Sequence, residues 1–342
     1  MANQIQQTLF SSWINLLLLA APVGIAINYI PAVDRKAVFI VNFMAIVPLA
    51  SILGFATEEI ALRTGETLGG LLNATFGNAV ELIVAILALV DGKAAIVQTS
   101  LIGSILSNLL FVMGFCFFFG GLGRPEQNFN TTVAQTAASM LALVIVPTVF
   151  DAAAKNSIDK VAKLSRAEKV EEEEEEEDPQ LHFWVAIATL AISTAIIALC
   201  AEYMVDSIDA ITKNGALSEE FVGLILLPVV GNAAEHVTAV TVAMKDKMDL
   251  AIGVAVGSSM QVALFLIPML VIIGWGMGND EMNLSFDHFQ VAVMFVAVLL
   301  VNYLINDGKS HWFEGWLLMC LYAIVAVCAF FYPDHNTGSD LT

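Results

Sequence analysis

Two glutamates carry most of the chemistry this sequence offers. Glu81 and Glu235 are each the only acidic residue inside a long apolar run, and each closes the same short pattern, Gly77-Asn78-Ala79-Val80-Glu81 and Gly231-Asn232-Ala233-Ala234-Glu235. A carboxylate at the centre of a bilayer costs about 2.5–3.5 kcal/mol on insertion scales. It therefore requires a cation, a proton or a hydrogen-bond network beside it. A protonated glutamate bonded to a neighbouring helix would satisfy the physics once. Two equivalent carboxylates in two copies of one pattern point instead to a shared cation or proton site.

The surrounding residues suit a hard cation. Asn78 and Asn232 lie three positions before the glutamates, a spacing that puts them on the same helical face and offers neutral amide oxygens. Gly77 and Gly231 let backbone approach an ion, and Pro228 removes one helical hydrogen bond in the second copy. Interrupted helices of this kind turn carbonyl oxygens toward a cavity at the membrane midplane. The following helix adds Ser104, Ser107 and Asn108 in the first copy, and Ser258, Ser259 and Gln261 in the second. The set is rich in oxygen and poor in sulfur and imidazole, which favours calcium-class ions over copper or zinc. Two carboxylates neutralise one divalent ion and can hold protons once it leaves, which is the electrostatic logic of a divalent-cation/proton exchanger. His236 has Leu82 as its counterpart and reads either as a proton carrier coupled to Glu235 or as a histidine hydrogen-bonded in the bundle. Glu58, with Glu59, and Glu202 end two spans; they read as interfacial acids or as ion-entry points.

The elements that must hold these groups are membrane spans. Of 342 residues, 58% are hydrophobic and 14% charged, against roughly 25% charged in soluble domains. Mean hydropathy is +0.78, and the net charge of −19, which repels phosphates, excludes a nucleic-acid binder. Continuous rather than alternating apolar runs exclude a β-barrel. About ten runs are long enough to cross a bilayer, at 11–31, 36–57, 68–90, 94–120, 129–150, 183–205, 219–244, 250–276, 288–306 and 314–332. The expected fold is an all-α polytopic membrane protein. Cys116, Cys200, Cys320 and Cys328 all fall in apolar stretches and read as reduced buried thiols. No basic segment precedes the first run, so 11–30 is expected to remain as an anchor helix.

A constant offset of 154 residues links the two copies. It maps Gly77 to Gly231, Gly103-Ser104 to Gly257-Ser258, Leu110-Phe111 to Leu264-Phe265 and Gly69 to Gly223. The organisation expected is an N-terminal helix (1–35), a first repeat (36–150), a polar linker (151–182), a second repeat (183–334) and a tail (335–342). The linker is basic first, then acidic through Glu171, Glu172, Glu173, Glu174, Glu175, Glu176, Glu177 and Asp178. That tract reads as a solvating linker or as a regulatory, ion-gathering segment.

GNAVEL (77–82), GNAAEH (231–236) and AMKDKMDLAIGVAVGSSMQVALF (243–265) closely resemble the calcium/proton exchanger (CAX) family, and 69–89 resembles its fungal vacuolar branch. The resemblance implies a multi-pass vacuolar protein of about ten transmembrane helices in two inverted-type repeats joined by an acidic linker, one that is no enzyme and has no cofactor. It would exchange luminal protons for calcium, with manganese as a second cargo, through alternating access at Glu81 and Glu235. Calcium, protons and lipid are the partners implied, a homo-oligomer is allowed, and the acidic run gains a regulatory role. Relatives carry five core spans in each half, whereas the first half here has four. Glu81 would then lie four span steps from Glu235, which makes the two repeat helices parallel instead of inverted. Loop charges place Lys245–Lys247 on the cytosolic side and leave the first half weakly oriented. The alternatives are a sodium/calcium-type exchanger, against which a missing proline before each glutamate speaks, and a transport-impaired truncated isoform acting as a regulatory subunit. A zinc protease is disfavoured because Glu235-His236 has no second histidine four residues on.

Overall fold

The computed structural model describes residues 17–65, 68–69, 72, 75–124, 126–130, 139, 181–212 and 217–332. Among them, five helices are long and apolar enough to cross a membrane, and a bent pair makes a sixth span if taken as one. Three shorter apolar helices accompany them: Leu17–Asn28, Ala79–Val90 and His288–Leu304. The run at 129–150, the linker and the tail lie wholly or largely outside the described residues, as do Glu171 to Asp178. Contacts divide the chain into two units. One comprises Met1–Lys93, Glu173–Leu217 and Val229–Ala234; the other comprises Ala94–Glu172, Ser218–Pro228 and Glu235–Thr342. Each unit draws on both repeats.

The first unit contains α1 (Ala20–Asn28), α2 (Arg35–Thr64), α3 (Ala79–Val90) and α5 (Phe183–Asp206), the last continuing into Ile208–Thr212. The Asp34 carboxylate caps α2 by accepting from Lys36 N. The far end of α2 is tied to the start of α5. Leu181 N donates to Glu59 Oε2 at 2.8 Å, and Arg63 donates to the Leu181 carbonyl. Ile60, Val185 and Ala186 bury apolar surface beneath these bonds. At the other end of α5, Lys93 Nζ donates to Val205 O at 2.9 Å and sits 3.1 Å from Asp91. The turn that leaves α3 is thereby pinned to the end of α5.

The second unit contains α4 (Ala94–Gly121), the outer part of α6 (Glu219–Gly231), most of α7 (Ala233–Met244), α8 (Met248–Gly276), α9 (His288–Leu304) and α10 (Trp312–Phe330). A two-residue ribbon pairs β1 (Gln127–Asn128) with β2 (Lys309–Ser310). Beside it, an ion pair of 2.7 Å between Lys309 and Glu126 lowers the carboxyl below its usual range and raises the ammonium. Helix α4 is the centre of this unit, with 83% of its apolar window buried against 28% for α10. Small residues permit that depth. A Cβ on Gly103 would overlap the Leu224 backbone, and one on Gly223 would sit 2.8 Å from Thr99 Cγ2.

Helices α4 and α8 are equivalent under the 154-residue offset, and they run antiparallel. Gln98, near the start of α4, donates to the Asn283 carbonyl just beyond α8, at 2.8 Å. Gly120, at the end of α4, meets Met248 at the start of α8. The simple span count would make such equivalent helices parallel; this pair is not. Hydrophobic run-counting carries no information on direction, whereas the polar contacts at the helix ends do.

Candidate cation site

In the first unit, Glu81 lies in the first turn of α3, whose N-cap is Asn78. Asn78 is buried, and its carbonyl accepts the first helical bond from Leu82 N at 2.9 Å. Gly77, just before the cap, has low helix propensity, which favours a break here. The spacing puts Asn78 and Asn232 on the same helical face as their glutamates, beside an expected helix interruption. Both occupy helix breaks. Asn232 sits between α6 and α7, which bend by 62°. Upstream, a π-helical turn at Val222–Leu226 precedes Pro228, so the hydrogen-bond ladder is already loosened.

The second copy's asparagine serves the first copy's glutamate. Asn232 Nδ2 donates to Glu81 Oε1 at 2.7 Å, and Asn232 is 2% exposed. A Cβ on Gly231 would lie 2.9 Å from Glu81 Cγ, so only glycine admits this approach without displacing the carboxylate arm. Glu81, Asn78, Asn232 and Gly231 therefore gather in one unit, with Gly77 beside Asn78 in the chain. Glu81 lies in the first turn of α3, at the positive N-terminal end of that helix.

In the second unit, Glu235 occupies the first turn of α7, and Ser258 Oγ on α8 donates to its Oε2 at 2.8 Å. Ser104 is fully buried in α4. Ser259, also expected near the ion, turns away and donates to the Ala255 carbonyl at 3.0 Å. Both second helices loosen just past their serines, into π-helical turns at Ser107–Val112 and Val262–Leu266. These turns are equivalent under the offset and were not foreseen from sequence; π-turns of this kind recur at functional sites. His236 is buried, with the Phe111 ring at 5.9 Å and no partner for its Nε2 among the described residues. Among those residues, no three His, Cys, Asp or Glu side chains converge as metal ligands. Any cation would depend on single carboxylates supplemented by amide, hydroxyl and carbonyl oxygens.

The sequence pattern described as sodium/calcium exchanger protein matches residues 36–168 and 185–331. The chain belongs to the sodium/calcium exchanger protein family. A vacuolar calcium ion transporter of Schizosaccharomyces pombe is 46% identical to this exchanger over 361 residues, covering 96% of this chain and 87% of that protein. A Ca(2+)/H(+) antiporter of Synechocystis sp. is 42% identical, covering 93% and 96%. The structure of native YfkE superposes with a TM-score of 0.77 at 35% identity, over 92% of this exchanger and all of that chain. The H+/Ca2+ exchanger CAX shares the fold at a TM-score of 0.73 and 15% identity, over 98% and 90%. The first alignment spans 361 positions yet uses 96% of a 342-residue exchanger. The S. pombe protein thus carries residues inside the aligned region that this exchanger lacks.

The acids considered for ion entry lie in the first unit. Glu58 is exposed on α2, and Glu202 is exposed near the end of α5. Glu59, by contrast, is buried, and its carboxylate clamps Leu181 and pairs with Arg63 at 3.8 Å. It serves helix packing.

Proposed function

We propose that this exchanger moves calcium across a vacuolar-type membrane against protons, using Glu81 and Glu235 as the carboxylates that alternately hold the ion and protons. The observation that carries this reading is the paired carboxylate set. Each glutamate sits at a helix break inside an apolar run, in a chain 46% identical to a protein named a vacuolar calcium ion transporter. Similarity to a protein named a Ca(2+)/H(+) antiporter favours protons over sodium as the counter-ion. Charge balance supplies the coupling, because leaving either carboxylate charged with no counter-ion would incur the cost of a bare charge in the membrane. Ser104, Ser258, Asn78, Asn232, Gly77 and Gly231 are proposed to complete the oxygen shell. His236 is proposed to tune the protonation of the second copy, Glu58 and Glu202 to gather ions, and the tract from Glu171 to Asp178 to regulate their supply. Manganese is the proposed second cargo. Alternating access would arise as the helix breaks let each half-site face one side at a time.

The test uses the purified chain in vesicles with an acidic lumen. Calcium-45 uptake should follow the proton gradient, collapse with a protonophore, persist without sodium and be competed by manganese. Uptake driven by a sodium gradient alone would overturn the proton assignment.

A further inference from the structure

The second unit holds a cavity of about 280 Å³ at the end remote from Lys245 and Lys247, which the exchange reading leaves without a role. It lies between the starts of α4, α6 and α9, with Tyr332 from just past α10 in its wall. Its lining carries three carboxylates, Glu219, Glu220 and Asp287, with His288 and neither lysine nor arginine.

Glu220 is more than nine-tenths buried, at 8% exposed. Its Oε1 accepts from Gln290 Nε2 at 2.9 Å, and its Oε2 lies 3.5 Å from the Thr99 hydroxyl. Gln290 Nε2 also donates to Thr99 Oγ1 at 2.8 Å. Both amide hydrogens of Gln290 are thereby used, which fixes the orientation of its carboxamide. Its Oε1 has no partner among the described residues, although the side chain is only 3% exposed and lines the cavity. A buried acceptor without a donor marks a position where a donor is wanted. Three carboxylates beside it repel an anion and attract a cation. No three of these groups converge tightly enough to ligate a bare ion. The volume instead suits an ion that keeps its water, at about 30 Å³ for each water. The sequence adds a second sign. Subtracting the offset of 154 from Glu220 gives Glu66, so both copies carry an acid at the same distance before their transport glutamate.

We propose that this cavity is a binding station for a hydrated divalent cation, at the membrane face opposite Lys245 and Lys247. Glu219, Glu220 and Asp287 supply the charge, and Gln290 Oε1 accepts a hydrogen bond from a coordinated water. The identity of the ion as calcium rests on the exchange reading; the site itself does not.

Terbium tests it directly, because Tyr332 in the cavity wall can sensitise terbium emission. The full-length chain in detergent, with Glu81→Gln and Glu235→Gln removing the transport carboxylates, should give tyrosine-excited emission that calcium displaces. Glu220→Gln should weaken terbium binding about tenfold, and Tyr332→Phe should remove the sensitised emission. Ser285→Lys places a cation at the exposed rim without touching a buried group, so its loss of emission reads the site independently of folding at Glu220. Undiminished emission in both Glu220→Gln and Ser285→Lys, or none in the starting protein, overturns the proposal. If the unsubstituted chain shows no proton-driven calcium uptake while the emission behaves as described, the exchange reading falls and the station stands. The opposite pair of results removes the station alone.

Discussion

The bond from Asn232 to Glu81 changes how the two motifs are understood. The spacing in each pattern places an asparagine on the same helical face as the glutamate three positions on. The geometry instead lends the second copy's amide to the first copy's carboxylate, and a serine on α8 serves Glu235. The expected kinetics follow from these partners. Glu81→Gln and Glu235→Gln should each cut calcium uptake at least about 100-fold, since removing one partner of a buried charge pair costs roughly 3–5 kcal/mol. Ser258→Ala removes one hydrogen bond to a charged group, worth about 1.5–3 kcal/mol. It should therefore raise the half-saturating calcium concentration roughly tenfold while leaving turnover at saturation. Calcium-45 uptake at varied calcium, normalised to inserted protein, checks all three variants. Normal uptake by either glutamine variant would remove that glutamate from the site.

At the scale of elements, close packing of α4 against α6 is the feature most open to test. Gly103 and Gly257 are equivalent in the repeat, yet only Gly103 faces a backbone; a Cβ on Gly257 or Gly253 meets nothing within 4 Å. Gly103→Ala should lower the thermal midpoint in detergent, because overpacking against a carbonyl costs about 1–3 kcal/mol. Gly253→Ala should leave the midpoint unchanged or raise it slightly through better helix propensity. Equal midpoints for the two variants would contradict the packing. The acidic run is a separate element with its own test. Replacing Glu171–Glu177 by glutamine should shift the cytosolic calcium dependence of uptake only at low ionic strength, since such charges are screened beyond about 8 Å in physiological salt. An effect that persists at high salt would point to direct ligation. Much at this scale was legible in the sequence. A lone glutamate in an apolar run announces itself, and its recurrence at offset 154 reveals the repeat. The π-helical turns left no signal, because Ser107–Val112 and Val262–Leu266 read as ordinary apolar helix. Glu220 was equally silent, since an acid at a helix start reads as an interfacial residue and its partners Thr99 and Gln290 lie far away in sequence.

For the whole molecule the deciding matter is direction. Counting apolar runs gave parallel repeats, with the first half one span short of its relatives. Within the second unit, α4 and α8 run antiparallel, the course that equivalent helices of an inverted pair would take. Inversion lets two copies of one helix pair present equivalent groups to opposite faces of the membrane, which a carrier alternating between those faces requires. Direction can be measured without any transport assay. In a background with Cys116, Cys200, Cys320 and Cys328 replaced, single cysteines at the exposed positions Ala95 and Lys247 report the starts of α4 and α8. An impermeant thiol reagent should label them from opposite sides of sealed vesicles. The positive-inside rule sets the expected sense, with Lys247→Cys reached from the cytosolic side together with the basic turn at Lys245–Lys247. Labelling of both positions from one side would restore the parallel threading. It would also remove the basis for an inverted exchanger in this chain, even if calcium uptake were observed.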